Sequence, residues 1–218
     1  MRARALLLVL VGLTAACGER GCSCARTRSE VEWTRVQGED GEELRLVERG
    51  PYRAYYDTQG RLKRVEVDSN EDGKVDNIAY HDGSERPILL EVDTNFDGVI
   101  DRWEHYDEQG QLVKVGSASG GGPPERWAYL GPDGLPVRME YDADANGKVE
   151  RIEIFEEGRI VAVETDTDRD GQIDRWQDWR SGILGFEEFD TDGDGRRDRR
   201  LRYGAAGQIE SVEPIEDE

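Results

Sequence analysis

Asp166-Thr-Asp-Arg-Asp-Gly-Gln-Ile-Asp174 is the stretch on which the reading of this chain turns. Oxygen-bearing side chains stand on alternate residues at Asp166, Asp168 and Asp170, followed by Gly171, the apolar Ile173 and a fourth carboxylate, Asp174. A hard cation such as Ca²⁺ takes six to eight oxygens at about 2.3–2.6 Å, which a tightly wound loop supplies by turning carboxylates at positions 1, 3, 5 and 9 inward. The main-chain carbonyl of position 7, here Gln172, adds a ligand, and glycine at position 6 makes the sharp turn.

The pattern recurs along the chain. Asp68, Asn70, Asp72 and Asp76 form a first loop with Lys74 at position 7, and Asp93, Asn95, Asp97 and Asp101 a second with Val99 there. Asp142, Asp144, Asn146 and Glu150, with Lys148, form an altered third, and Asp190, Asp192, Asp194 and Asp198, with Arg196, follow the Asp166 loop. The starts are 25, 49, 24 and 24 residues apart, so one unit is hidden in the 49, beginning near residue 117. There Ser117-Ala-Ser-Gly-Gly-Gly-Pro-Pro-Glu125 precedes Arg126-Trp127, as Asp101 precedes Arg102-Trp103 and Asp174 precedes Arg175-Trp176. This unit keeps the frame and lacks the ligands, so about five Ca²⁺ sites are expected.

What lies between the loops decides the fold class. Only 15 or 16 residues remain per period, and a glycine turn such as Asp107-Glu-Gln-Gly110 or Glu156-Glu-Gly158 divides them into pieces of about six. Six residues suit a strand and are short for a globular helix. Val65/Val67 and Ile152/Ile154 alternate with charged residues at period two, the mark of a half-buried strand. An aromatic residue or histidine stands fourteenth in most units, at His81, Tyr106, Phe155, Trp179 and Tyr203. Fixed periods of this size mark repeat architectures. The expectation is an all-β chain: an antiparallel meander of about 24-residue hairpin repeats, with roughly thirteen strands. Such a sheet should curl or wrap with Trp and Val/Ile positions inside; a small β-propeller is the alternative.

True EF-hands and dockerins place the loop between helices and end it in an acid at position 12. Here position 12 is Ala79, Glu104, Glu153, Gln177 and Leu201, whereas an acid at position 9 is kept in all five loops. That pattern resembles the β-hairpin calcium loops of FG-GAP/integrin-type repeats. Tyr56-Asp-Thr-Gln-Gly60-Arg-Leu62 and Tyr106-Asp-Glu-Gln-Gly110-Gln-Leu112 resemble YD (RHS-type) repeats, which implies a strand-rich wrap.

Charged residues make up 36% of the 218 and the formal net charge is −20, which argues against nucleic acid as a partner. At positions 1, 3, 5 and 9 the five loops carry three, three, three, four and four carboxylates, seventeen in all. Without a cation these repel one another. The plain alternative is that Asp-Gly turns satisfy the local backbone and bind nothing; turn propensity, however, does not require fixed alternation at four positions.

At the N-terminus, Met1-Arg-Ala-Arg4 is a basic n-region, Ala5–Leu13 an apolar h-region and Thr14-Ala-Ala16 a small-residue cleavage site. Cys17 directly after Leu13-Thr-Ala-Ala16 resembles the lipobox of bacterial lipoproteins, which implies lipidation of Cys17 and attachment to a membrane. Gly18 after it resembles an outer-membrane address. The expected organisation is a signal peptide at 1–16, a lipidated cysteine and tether at 17–40, the repeat domain at 41–213 and an acidic tail at 214–218. Cys22 and Cys24 fall in the tether, where an i,i+2 bridge is strained and two cysteines alone make a poor zinc site.

No enzyme is expected. His81 and His105 fall on strand positions, and no serine or cysteine has a base in recognisable context. The expected role is that of a calcium-binding, lipid-anchored cell-envelope protein with a structural, adhesive or surface-display function. The alternative is a glycan- or protein-binding module using exposed aromatics of the sheet, and a carboxylate-based hydrolase ranks last.

Overall fold

The computed structural model describes residues 32–38, 40–84 and 86–215. The segment expected to be a signal peptide, Cys17, Cys22, Cys24 and the last three residues of the acidic tail lie outside them. Every described element is a strand: β1 (Thr34–Gln37), β2 (Glu43–Arg49), β3 (Tyr52–Tyr56), β4 (Leu62–Val67), β5 (Asn77–His81), β6 (Pro87–Val92), β7 (Arg102–Tyr106) and β8 (Leu112–Ser117). They are followed by β9 (Arg126–Leu130), β10 (Pro136–Tyr141), β11 (Arg151–Glu156), β12 (Arg159–Thr165), β13 (Arg175–Arg180), β14 (Ile183–Phe189), β15 (Arg199–Tyr203) and β16 (Ile209–Pro214).

All sixteen belong to one antiparallel sheet in sequence order, a meander with free edges at β1 and β16. The single sheet excludes the propeller. The strand number exceeds thirteen because the meander starts further upstream: β1 pairs with β2 from Thr34, inside the segment read as tether up to residue 40.

The two ends of the sheet differ. At one end lie glycine turns; at the other lie the nine-residue loops. Glu157-Gly158 and Ser181-Gly182 are two-residue turns with positive φ at both positions, the type I′ geometry whose twist matches the strands it joins. The other turns of the repeat region span five residues, as where Asp107 N–H donates to Gln111 O at 2.9 Å. Turn length explains the period. With a nine-residue loop and a five-residue turn a unit takes 25 residues, and with a two-residue turn and longer strands it takes 24.

Each hairpin from β3–β4 onward carries a register shift beside its turn, for example between Tyr55 and Tyr56 or between Asp178 and Trp179. The fourteenth residue of each unit, from His81 to Tyr203, stands at this irregularity. A bulge bends its strand and increases the local right-handed twist, so a row of bulges along one end is a local source of curl.

The expected interior is thin. Among the described residues only Leu44, Ile152 and Val163 are buried hydrophobics. Trp103, Trp127 and Trp176 are half-buried rather than inside. Register places all three on one face, opposite Glu91 or Gly116, Gly116 or Glu140, and Glu164 or Glu188. Their neighbours Arg102, Arg126 and Arg175 point to the other face, because successive strand residues alternate. In place of a core, cross-strand pairs tie the sheet. Tyr55, Tyr80 and Tyr129 donate to Glu66, Glu91 and Glu140, each 11 residues on, at 2.9, 3.1 and 2.9 Å. Buried Glu187 accepts from Arg175, Gln177 and Tyr203, and buried Glu188 from Arg197 and Arg200.

Candidate metal centres

All five ligand-bearing loops wind alike. The position 1 carboxylate accepts main-chain N–H groups from across the loop. Asp68 takes those of Asp72 and Gly73 at 3.1 and 2.8 Å, and Asp166 those of Arg169 and Gly171 at 2.7 and 2.8 Å. Asp93, Asp142 and Asp190 do the same for Gly98, Gly147 and Gly195 at 2.6, 2.8 and 2.7 Å. Position 3 oxygens of Asn70, Asn95, Asp144, Asp168 and Asp192 accept from the N–H of position 5. Position 5 oxygens of Asp72, Asp97, Asn146, Asp170 and Asp194 accept from the N–H of Lys74, Val99, Lys148, Gln172 and Arg196.

This winding needs two left-handed residues. Position 6 is glycine in all five loops, with φ of 92° at Gly73 and 97° at Gly171. Position 4 is left-handed as well, in Glu71, Phe96, Ala145, Arg169 and Gly193. Four of these five carry a Cβ, so the fold tolerates a strained residue at the same place in each loop. Phe96 is also 49% exposed, unlike a packed aromatic.

A functional role that the sequence pattern did not single out falls to position 2. Ser69, Thr94, Thr167 and Thr191 donate their hydroxyls to the position 9 carboxylates of Asp76, Asp101, Asp174 and Asp198 at 2.5 to 2.7 Å. Where position 2 is Ala143, position 9 is the longer Glu150, which reaches the Ala143 N–H at 2.8 Å. The signal was present in the sequence: hydroxyl with Asp four times, alanine with Glu once.

Four loops bring three carboxylates together, with one oxygen of each within 4.8 Å of the others: Asp68, Asp72 and Asp76; Asp142, Asp144 and Glu150; Asp166, Asp168 and Asp174; Asp190, Asp192 and Asp194. Each can hold a metal ion. The Asp93 loop brings no such trio together, and Asp198 and Asp170 stand outside the trios of their own loops. Burial is deepest at Asp76, Asp93 and Asp166, which are 1, 2 and 4% exposed. At Asp76, Oδ2 accepts from Ser69 and Asn70 while Oδ1 is buried with no partner among the described residues. Burial pushes the Asp93 carboxyl up, but the N–H groups of Gly98, Phe96, Asp97 and Asn95 outweigh it and hold it below the ordinary value. Asp190 is lowered in the same way, burial opposing and the N–H groups of Gly195, Gly193, Asp192 and Asp194 prevailing.

The loops are also joined to one another. The N–H of position 1 donates to the carbonyl of position 9 in the loop before, at 2.8 Å from Asp93 to Asp76 and 2.9 Å from Asp166 to Glu150 and from Asp190 to Asp174. Ala118 donates to Asp101 and Asp142 to Glu125 in the same way, so the chain of bonds runs through the ligand-free unit. Its loop begins at Ala118 rather than Ser117, which ends β8, and is one residue shorter than the others. Position 7 side chains lie over the next loop. Lys74 Nζ donates to Asp97 O at 2.9 Å and Lys148 Nζ to Asp170 O at 2.7 Å, each against the position 6 glycine beside it.

No family model matches the chain, and no curated protein matches it. Among solved structures, it is similar at 19% identity and a TM-score of 0.25 to one described as the crystal structure of accessory secretory protein 1,2 and 3 in Streptococcus pneumoniae. That match covers 49% of this chain and 18% of the other.

Proposed function

We propose that this protein is a calcium-stapled β-repeat protein of the bacterial cell envelope, lipid-anchored through Cys17, with a structural, adhesive or surface-display role. The observation that carries the reading is Asp76. A carboxylate 1% exposed with one oxygen unpartnered is costly, and a cation shared with Asp68 and Asp72 removes the cost. Ca²⁺ suits the set better than Mg²⁺, because many protein oxygens converge on each site. With the thin core, binding to the folded state alone adds about 2.7 kcal/mol per site at 100-fold over Kd.

The test is calcium titration of the chain from Glu30 onward, with circular dichroism and thermal melting in calcium and in chelator. The expected result is about five ions bound and a large rise in melting temperature. Unchanged strands with no ion bound would overturn the reading. The lipid anchor is tested separately, by mass spectrometry of the mature N-terminus for diacylglyceryl and acyl groups on Cys17.

A second reading, a glycan- or protein-binding module, is favoured by the half-exposed row of Trp103, Trp127 and Trp176 on one face. It requires Trp fluorescence to change with an envelope glycan or partner and to stop changing when Trp127 is replaced.

A further inference from the structure

One loop departs from the others at position 5. Asn146 stands there, where the other four carry Asp72, Asp97, Asp170 and Asp194, and Gly147 follows it. Of the four asparagines of the chain, at 70, 77, 95 and 146, it alone is followed by glycine. An asparagine carboxamide lies within reach of the next residue's main-chain nitrogen, and glycine puts no Cβ in the way of that approach. Asn146 and Gly147 are both exposed. Asn70 and Asn95 are exposed as well, but Glu71 and Phe96 follow them.

In the wound loop both reacting groups are tied down. Gly147 N–H donates to Asp142 Oδ2 at 2.8 Å, and Asn146 Oδ1 accepts from Lys148 N–H at 2.8 Å. Asn146 N–H donates to Asp142 Oδ1 at 3.0 Å and to Asp144 Oδ1 at 3.2 Å. Attack requires the Gly147 nitrogen to give up its proton and the carboxamide carbon to turn onto it, so the first two bonds must break. Asp142, whose oxygens hold both main-chain amides, belongs with Asp144 and Glu150 to the carboxylate trio of this loop. Without a cation the three repel one another and favour opening; a cation among them holds the loop shut.

We propose that Asn146–Gly147 is a site of spontaneous deamidation guarded by calcium, an inference that rests on the reading of these loops as calcium sites. The Gly147 nitrogen bonds to Asn146 Cγ, the Cγ–Nδ2 bond breaks, and the nitrogen's proton leaves with Nδ2 as ammonia. Water is the only co-reactant and opens the cyclic imide. Cleavage of the new N–Cγ bond restores the main chain with aspartate at position 146, the residue type that the other four loops have at position 5. Cleavage at the main-chain carbonyl carbon leaves isoaspartate, whose extra main-chain carbon breaks the spacing between positions 5 and 6. A loop left without calcium is thereby marked chemically, and a filled loop is spared.

The test incubates the full chain in calcium and in chelator at mildly alkaline pH, where hydroxide removes the Gly147 proton. Peptide mass spectrometry follows each asparagine, and titration calorimetry measures calcium binding on the same protein. In chelator, residue 146 should lose ammonia well before residues 70 and 95. Calcium at about 100-fold over Kd should slow that loss roughly 100-fold, because only the metal-free loop reacts. Asp144→Ala, which removes a carboxylate from this loop alone, should react in calcium close to the chelator rate. An Asn146 that survives chelator, or reacts no faster than Asn70 and Asn95, would overturn the proposal. So would calcium that binds without protecting residue 146, or undiminished protection in Asp144→Ala; the calcium reading would stand in each of these cases. No calcium bound, with equal rates in both buffers, would overturn the two together.

Discussion

The main-chain N–H of Asp93 donates to the carbonyl of Asp76 at 2.8 Å, so the first residue of one loop is bonded to the last residue of the loop before it. The same bond recurs from loop to loop, and Asp76 itself carries a buried oxygen with no partner. Whatever settles the Asp76 side chain therefore acts one bond from the next loop.

Asp76→Asn separates the charge from the winding. In chelator the variant should melt no lower than the parent, since it removes a buried carboxylate whose Oδ1 is unmet. In calcium it should bind one ion fewer and melt below the parent. Titration calorimetry beside thermal melting checks both arms; a variant less stable in both would mean that Asp76 serves only as a turn residue.

His81 predicts a pH dependence away from the carboxylates. It is 8% exposed, and burial holds its imidazole below the ordinary 6.5, with the Arg86 and Ser84 backbone and Asp82 opposing. The unfolded chain thus takes up its proton first as pH falls. The His81 contribution to stability is complete above 6.5 and lost as pH drops from there through the depressed folded value. His81→Phe should flatten the slope of melting temperature between that value and neutrality, and an unchanged slope would count against the burial effect.

Gly116 is required by a neighbour. A Cβ there would meet the Trp127 ring at 2.7 Å, because the indole lies across β8 with its benzo edge over the glycine. Gly116→Ala should cost about 1–3 kcal/mol and move the Trp127 ring from His105, whose centroid is 5.5 Å away. Chemical denaturation measures the first effect, and Trp127 indole shifts report the second.

Phe96 holds φ at 63° while largely exposed. Phe96→Gly removes the left-handed penalty with little packing lost, and should stabilise the fold by about 1 kcal/mol. Melting in chelator isolates this gain from any change in metal binding. A loss of stability would show that the phenyl ring packs on something at the loop edge.

Local chemistry made much of this protein legible in its sequence. Period-two alternation, glycine turns and a period near 24 are enough to specify strands and a meander, because neighbouring strands in a hairpin array pair only with what precedes and follows them. The nine-residue loops were legible for the same reason. Their carboxylates bond to N–H groups two to seven residues away, so spacing alone encodes the winding. Even the pairing of Ala143 with Glu150 could be read from the chain.

What the tertiary structure decided depends on distances that no local pattern carries. Hydrophobic alternation says which side chains share a face, but only the sheet shows how little covers that face, and so why Trp103, Trp127 and Trp176 are half-buried. The convergence of three carboxylates in four loops, its absence in the Asp93 loop and the orphaned oxygen of Asp76 are set by how each loop's side chains are turned, which the shared spacing does not specify. The reach of Lys74 and Lys148 into the next loop joins residues of different repeats. Such contacts are set by register and twist across the sheet, which the chain acquires only on folding.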